Sequence, residues 1–404
     1  MENKRIANLC KPTECTGCGS CAQVCNQNAI KMAADAHGFL HPEIDTIKCI
    51  GCLLCEKKCP IGKDDDGRHE KASKVIAAWH KDEQIRMTSS SGGAFSAIAE
   101  YVLSNDGVVW GAAYGEGLKL SYKCVERIED LDILRRSKYL QSEVGDAFLR
   151  IKKQLQDGRT VLFVGTSCHV RGLYQVVGQK LRENLLTADF ICHGVPSPRV
   201  FADYVAWIEK KYGDKLVDFN FRDKRYGWDN GVLTVGTFEK IGERKFMDDE
   251  NSYFTGMLNN MFIRECCYHC TSNGLKRHSD FTIADFWGIG RNIPYEHEAQ
   301  KTKGISMAAL NSEKARGLFE NDLQYRLEWT ERTLEEASAG NGNYEHSSHK
   351  NPKSEAFWAK YVGIKTWDEV VPMLRPTFVQ KCKLVVKRYF GPVIANRLRK
   401  LIGR

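Results

Sequence analysis

Several features that would settle the class of this 404-residue chain quickly are missing from it. No run approaches the ~20 consecutive apolar residues that a membrane span requires, and no apolar stretch near the start resembles a secretory signal. Glycine is frequent, yet the Rossmann fingerprint G-x-G-x-x-G is absent. Gly111-x3-Gly115-x-Gly117 and Gly288-x-Gly290 miss that spacing, and no G-x4-G-K-[ST] occurs. Direct binding of a nicotinamide dinucleotide therefore has no support. Heptads, solenoid repeats and low-complexity segments are lacking, and no recognition motif for nucleic acid accompanies the positive charge. These absences lead to a globular protein expected in the cytoplasm.

Cysteine, by contrast, is abundant. Sixteen cysteines without an export signal point to a reducing compartment and to metal ligation rather than disulfides. Eight of them form two runs, Cys15-x2-Cys18-x2-Cys21-x3-Cys25 and Cys49-x2-Cys52-x2-Cys55-x3-Cys59-Pro60. This is the spacing of a two-cluster bacterial ferredoxin, in which each run gives three thiolates to one [4Fe–4S] cluster and the fourth to the other. One cluster would take Cys15, Cys18, Cys21 and Cys59, the other Cys49, Cys52, Cys55 and Cys25. Tetrahedral zinc also uses C-x2-C pairs, but two tandem four-cysteine runs suit it poorly. Asn26 stands where the pattern has proline, which relaxes the backbone without removing a ligand.

The ferredoxin-type domain is expected over residues 1–64, with Lys63-Asp64-Asp65-Asp66-Gly67 as a linker. Beyond it, short apolar runs alternate with helical patterns, giving an α/β or α+β class. Strands are predicted at Val75–Trp79, Val108–Trp110, Thr160–Val164, Leu185–Cys192, Phe219–Arg222, Val232–Phe238 and Phe281–Asp285, and helices at Ala94–Leu103, from about His169, and at Pro198–Tyr212. This mixed α/β body spans 70–340, as 70–150 and 151–340, followed by an extension at 341–404. From Arg375 to Arg404 there are nine Lys/Arg and no Asp/Glu, so the tail alone carries the formal +8. Leu384, Val385, Phe390, Val393, Leu398 and Leu401 recur through it. A basic amphipathic helix of this kind lies on an anionic membrane surface or an acidic partner, or packs one apolar face on its own domain.

Cys168 and Cys192 each end a predicted strand in a glycine-containing loop, where α/β proteins place their sites. Cys267-Tyr268-His269-Cys270 adds a C-x2-C pair, and Cys266 competes with Cys267 because spacing cannot separate adjacent cysteines. These residues either hold a third [4Fe–4S] cluster or include ordinary small buried cysteines. Cys10, Cys124 and Cys382 have no partner pattern and read as structural.

Ser90-Ser91-Gly92-Gly93, Gly165-Thr166-Ser167-Cys168 with Arg171-Gly172-Leu173, Cys192-His193-Gly194-Val195-Pro196-Ser197, Phe221-Arg222-Asp223-Lys224 and Cys267-x2-Cys270 occur in that order. Together with the ferredoxin-type head, this resembles the coenzyme F-420 hydrogenase/dehydrogenase beta-subunit family over about residues 10 to 340. Ser167 departs from the proline common in the family pattern. The resemblance implies FAD and iron–sulfur clusters that exchange electrons with an organic acceptor, a deazaflavin in some members. It also implies that the body's own cysteines ligate a cluster.

FAD carries a pyrophosphate, which unpaired N–H groups at a helix N-terminus favour. The Ser89–Gly93 turn before the Ala94 helix offers that, with hydroxyl caps and glycines that allow close backbone approach. Gly165-Thr166 is a second such turn, and Arg171 is a candidate to neutralise phosphate or reduced flavin. For an acidic substrate the candidates are Lys138-Tyr139, Arg222, Lys224 and Arg225, each equally readable as a solvated surface charge. His193 is a candidate proton donor or a hydrogen-bonding support beside a ligand. The expected function is an iron–sulfur flavoprotein oxidoreductase acting with a redox partner protein and a small-molecule substrate. The alternatives are an electron-transfer subunit without a substrate pocket and a protein whose metals are structural.

Overall fold

Cysteines every third residue leave room only for one-turn helices in the head. The computed structural model describes residues 5–63, 67–225, 227–228, 233–364 and 366–375. In it these helices are Ser20–Gln23 and Leu54–Lys57. Between them lies an antiparallel hairpin of β1 (Ile30–Ala34) and β2 (Leu40–Ile44). The head's apolar core is small, centred on Ala7, Cys21, Ile30 and Cys55. A unit of this size needs metal staples or a neighbour to hold it together.

The body supplies a neighbour. Its strands are β3 (Lys74–His80), β4 (Val108–Tyr114), β5 (Leu120–Val125), β6 (Val161–Val164), β7 (Leu185–Phe190), β8 (Leu216–Asp223), β9 (Leu233–Phe238), β10 (Gly242–Phe246), β11 (Phe281–Asp285), β12 (Ser306–Leu310) and β13 (Leu327–Arg332). Eight of them form one mixed sheet in the order β13-β3-β12-β11-β7-β6-β4-β5, and β10-β9-β8 form a separate antiparallel sheet. The centre, β4-β6-β7-β11, is parallel.

Side-chain alternation explains the layers. On β4, Val108 and Trp110 face helices Ala147–Gln156 and Ser167–Val177, packing with Phe148, Ile151, Val170 and Leu173. Val109 points the other way, into the cluster built with helix Ala94–Ser104. Covering both faces is what turns central parallel strands into nearly continuous apolar runs. A third core of aromatic residues, including Phe201, Tyr204, Phe219, Phe221 and Tyr253, joins helix Pro198–Tyr212 to the small sheet.

Helix Pro198–Tyr212 and strand Phe281–Asp285 coincide with the sequence expectation. β7 stops at Phe190, so Cys192 sits in the loop rather than in the strand, and the helix expected from His169 starts at Ser167. Val232 and the basic helix of the tail, including Cys382, lie outside the described residues. Among the described residues, no helix is long and apolar enough to cross a membrane.

Inside the sheet, Asp189 on β7 is fully buried and accepts from Ser167 Oγ and, at 2.6 Å, from Thr282 Oγ1. The buried Arg277 guanidinium lies 3.5 Å from it. Removing one partner of a buried ion pair strands the other charge, at a cost of about 3–5 kcal/mol. Asp189→Ala should therefore lower the unfolding free energy by that amount in urea titration. A loss under about 1 kcal/mol would show that Arg277 is held by its other contacts.

Candidate functional site

The parallel strands end together, so the loops after β6, β7 and β11 meet along one edge. The β6 loop runs into helix Ser167–Val177, whose first turn carries Cys168, and the β7 loop carries Cys192 and His193. The short helical segment Glu265–His269 brings the remaining thiols to the same place. Cys168, Cys192, Cys266, Cys267 and Cys270 thus ring a cavity of about 600 Å³.

Its lining fits a cluster. Sulfur atoms accept from Gly194 N–H (3.3 Å on Cys192) and Ser272 N–H (3.4 Å on Cys270), and Thr166 Oγ1 lies 3.2 Å from Cys168 Sγ. Hydrogen bonds to sulfur tune iron–sulfur centres. Thr16 Oγ1 and Arg277 Nε also border this volume, buried and without a hydrogen-bond partner in the protein, and buried donors of that kind call for an acceptor. Cys267 packs against Gly194 in the Cys192 loop. Cys266, next to it, hydrogen-bonds Cys267 and lies within electrostatic reach of Cys168 and Cys192 as well as of Arg264 and the head's Cys15.

The head abuts this cavity through Thr13, Glu14, Thr16, Ile61 and Gly62. Its inner thiols lie against the body: Ser20 Oγ donates to Gly172 O at 2.9 Å, and a Cβ on Gly172 would sit 2.8 Å from Cys18 Cβ. Burial, together with the nearby Cys18, Cys15 and Cys59, pushes the Cys21 thiol up. Cys10, to which spacing assigned no partner, hydrogen-bonds to both Cys15 and Cys59 and lowers the pKa of each. Cys25, Cys49, Cys52 and Cys55 ring a separate volume of about 210 Å³ on the far side, with Cys52 exposed. The two groupings are those that the crossed ferredoxin pattern requires.

A second cavity of the body, about 520 Å³, shares Thr166, Cys192 and Gly194 with the first. Ser90, Ser91, Gly93, Lys138, Gly165, His193 and Arg222 line it. The Ala94–Ser104 helix begins on its wall, where first-turn N–H groups have no intrahelical acceptor. The hydroxyl caps expected there do not form: the N-cap is Gly93, at φ +99°. Ser89 Oγ donates to Ile85 O, Ser90 Oγ accepts from Ser137 N–H, and Ser91 Oγ donates to Ile305 O.

Gly92 is not on the wall at all. A Cβ there would meet Ala78 O at 2.2 Å, so its smallness serves sheet packing. Arg171 is also elsewhere, donating to Pro60 O at 2.7 Å and to the Thr271 and Ser272 hydroxyls. It fastens the head to the body, away from the second cavity. Lys224 is buried on three carbonyls, those of Arg86, Ser91 and Lys303, and Arg225 is exposed and paired with Asp223 and Glu243. Neither reads as a substrate contact.

Sequence reasoning missed Asp285 and Trp287, which also line the second cavity. Asp285 pairs with Arg222 and accepts from Trp228 Nε1 at 2.6 Å, while Trp228 stacks on Trp287 at 4.3 Å. The available signal was position, since Asp285 ends a strand of the parallel edge. His193 lines the cavity with Nε2 unpartnered, and burial lowers its pKa.

The thiol-ringed head and the thiol loops on a parallel sheet edge define an iron–sulfur electron-transfer oxidoreductase. Residues 75–148 match the coenzyme F420 hydrogenase/dehydrogenase beta subunit N-terminal region, residues 158–333 its C-terminal region, and residues 14–63 a 4Fe–4S dicluster domain. The two beta-subunit matches together span more than half of the chain, which belongs to that family. Among solved structures, it is similar to a chain of the F420-reducing [NiFe] hydrogenase complex from Methanosarcina barkeri. The identity is 13%, the coverage 72% of this chain and 99% of that one, and the TM-score 0.46. No curated protein matches it.

Lys138 Nζ donates to Arg135 O at 2.6 Å and makes no ion pair among the described residues. Burial and the adjacent Arg136 lower its pKa to about 7, from 10.5 in an open chain. Between those values the unfolded chain holds a proton that the folded one lacks, so this group makes stability rise with pH across the window. Relative to Lys138→Met, the wild type should gain stability as pH goes from 7 to ~9.5. A pH-independent difference in urea midpoints would refute the shift.

Proposed function

We propose that the chain relays electrons between a redox partner protein and a small organic substrate, through three [4Fe–4S] clusters and FAD. One observation carries this reading: three thiol-lined sites lie in sequence, and the last shares a wall with a cavity of ligand size. Cys25, Cys49, Cys52 and Cys55 form the outer site, and Cys15, Cys18, Cys21 and Cys59 the inner one. Cys168, Cys192, Cys267 and Cys270 form the site in the body. Ile47 and Ile50, both strongly exposed, flank the outer site and offer an apolar docking point for the partner.

In the second cavity, the first turn of the Ala94 helix and the backbone of Ser90, Ser91 and Gly93 would hold the FAD phosphates, with Gly165 and Thr166 opposite. When bound, FAD interconverts single electrons with a two-electron step. Lys138 and His193 are two titratable groups on its wall placed to hold or give a proton there, both with depressed pKa values. Arg222, fixed by Asp285, presents a guanidinium to an anionic or planar substrate such as a deazaflavin. The cavity favours this reading over an electron-carrier subunit with no pocket of its own.

Anaerobic purification should yield FAD and about twelve iron atoms per chain, four per cubane. Loss of flavin with all iron retained would leave the carrier reading. Reduced deazaflavin should bleach the bound FAD; bleaching by reduced ferredoxin alone would exclude that substrate class. Cys192→Ser or Cys267→Ser should remove about a third of the iron while leaving the head's absorption intact. Cys266→Ser should keep all of it, and the reverse pattern would exchange the roles of the two adjacent cysteines.

A further inference from the structure

Arg264 lies between the inner site of the head and the site in the body. Its amide donates to Val195 O at 2.9 Å, in the loop after Cys192, and its carbonyl accepts from the Cys267 amide at 3.0 Å. The side chain then enters the head. Nε donates to Cys15 O at 2.6 Å and Nη2 to Leu40 O at 2.9 Å, while Nη1 reaches Gln141 Oε1 at 3.1 Å. The His41 imidazole is 3.2 Å from Nη2. Gly17, in the loop between Cys15 and Cys18, makes this approach possible, because a Cβ there would lie 3.0 Å from Nη1 and 2.3 Å from Gln141 Nε2.

The guanidinium is 1% exposed, and among the described residues no carboxylate pairs with it. A permanently charged group buried in this way is costly unless an anion lies close by. A [4Fe–4S]²⁺ cube with four thiolates carries a net charge of about −2. Arg171 makes the matching contact at the other end of the inner site, on Pro60 O beside Cys59.

We propose that Arg264 is the counter-ion of the inner cluster and the positioning residue for electron passage from it to the site in the body. The proposal rests on the cluster assignment above. One electron crosses per event: the inner site is oxidised as the body site is reduced, and no bond forms or proton moves. The cation favours the more negative, reduced state, and the hydrogen-bonded route from Cys15 through Arg264 to Cys267 replaces a through-space gap.

The test uses the full-length, anaerobically purified protein and its Arg264→Gln and Arg264→Lys variants, each checked for iron. Redox titration followed by electron paramagnetic resonance reads each site's midpoint. Arg264→Gln should keep its iron and lower one midpoint by a tenfold or larger fall in the reduction equilibrium, about 59 mV. Arg264→Lys should restore most of that midpoint. In stopped-flow reduction with dithionite, Lys should still pass electrons to the body site more slowly than wild type, because the fork to Cys15 and Leu40 is lost. Full iron with unchanged midpoints in the Gln variant overturns the counter-ion role. If that variant does not fold, an unaltered rate in Arg264→Lys overturns the positioning role. A wild type with iron for only two clusters would instead sink the cluster assignment and leave Arg264 a structural clamp.

Discussion

The seating of the Cys18 loop on Gly172 is the contact on which the rest of the arrangement depends. Electron passage between centres falls off steeply with separation, so a ferredoxin-like head is useful to its body only when held close. Gly172 stands in the helix that begins with Ser167 and Cys168, and a side chain there would collide with Cys18. One helix therefore carries a thiol of the body at its first turn and receives the head's inner loop one turn later. Ser20, Arg171 and Arg264 fasten this contact with buried hydrogen bonds. Arg171 and Arg264 each satisfy a non-helical carbonyl of the head, Pro60 O and Cys15 O, and a buried carbonyl left without a donor is costlier than never having been polar.

The parallel centre of the sheet does the complementary job. Strands β6 and β7 run side by side and stop at the same edge, so the Cys168 and Cys192 loops are neighbours although 24 positions apart in sequence. Asp189 and Arg277, buried behind them, bind Ser167, Thr282 and the loop around Ser272 into one network. The thiols spread around an open volume rather than converging on a point. Among the described residues no three of them converge as ligands of a single metal ion.

What could be read from the sequence followed from how local each signal was. The cysteine runs set their own geometry within a few residues, so the outer and inner groupings were legible, as were the long amphipathic helix at Pro198 and the β-branched strands. β12, Ser-Met-Ala-Ala-Leu, has weak strand propensity and is a strand only because β3 and β11 pair with both its edges. β13, Leu-Glu-Trp-Thr-Glu-Arg, carries three charges that hide an edge strand. Arg171 looked like a phosphate ligand because its motif lies beside Cys168, but a helix sends successive side chains in different directions. It points to the head, not to the second cavity. Cys10 had no spacing partner because its neighbours, Cys15 and Cys59, are gathered by the tertiary fold.

Charge pairing narrows what the second cavity presents to a ligand. Arg135 is held by Glu100 and Asp132, Arg136 by Asp218 and Arg222 by Asp285. Each of these cations is already balanced, and an arriving anion would gain only what those carboxylates leave. Lys138 is different, since its partners are neutral carbonyls and it sheds its proton near neutrality. An anion bound beside it would pull that proton back, so binding and protonation are coupled at this one amine. The glycine-rich turn contributes backbone N–H groups, which carry no charge of their own to balance. What the cavity offers a negative charge is thus largely dipoles, together with the two titratable groups Lys138 and His193 on its wall.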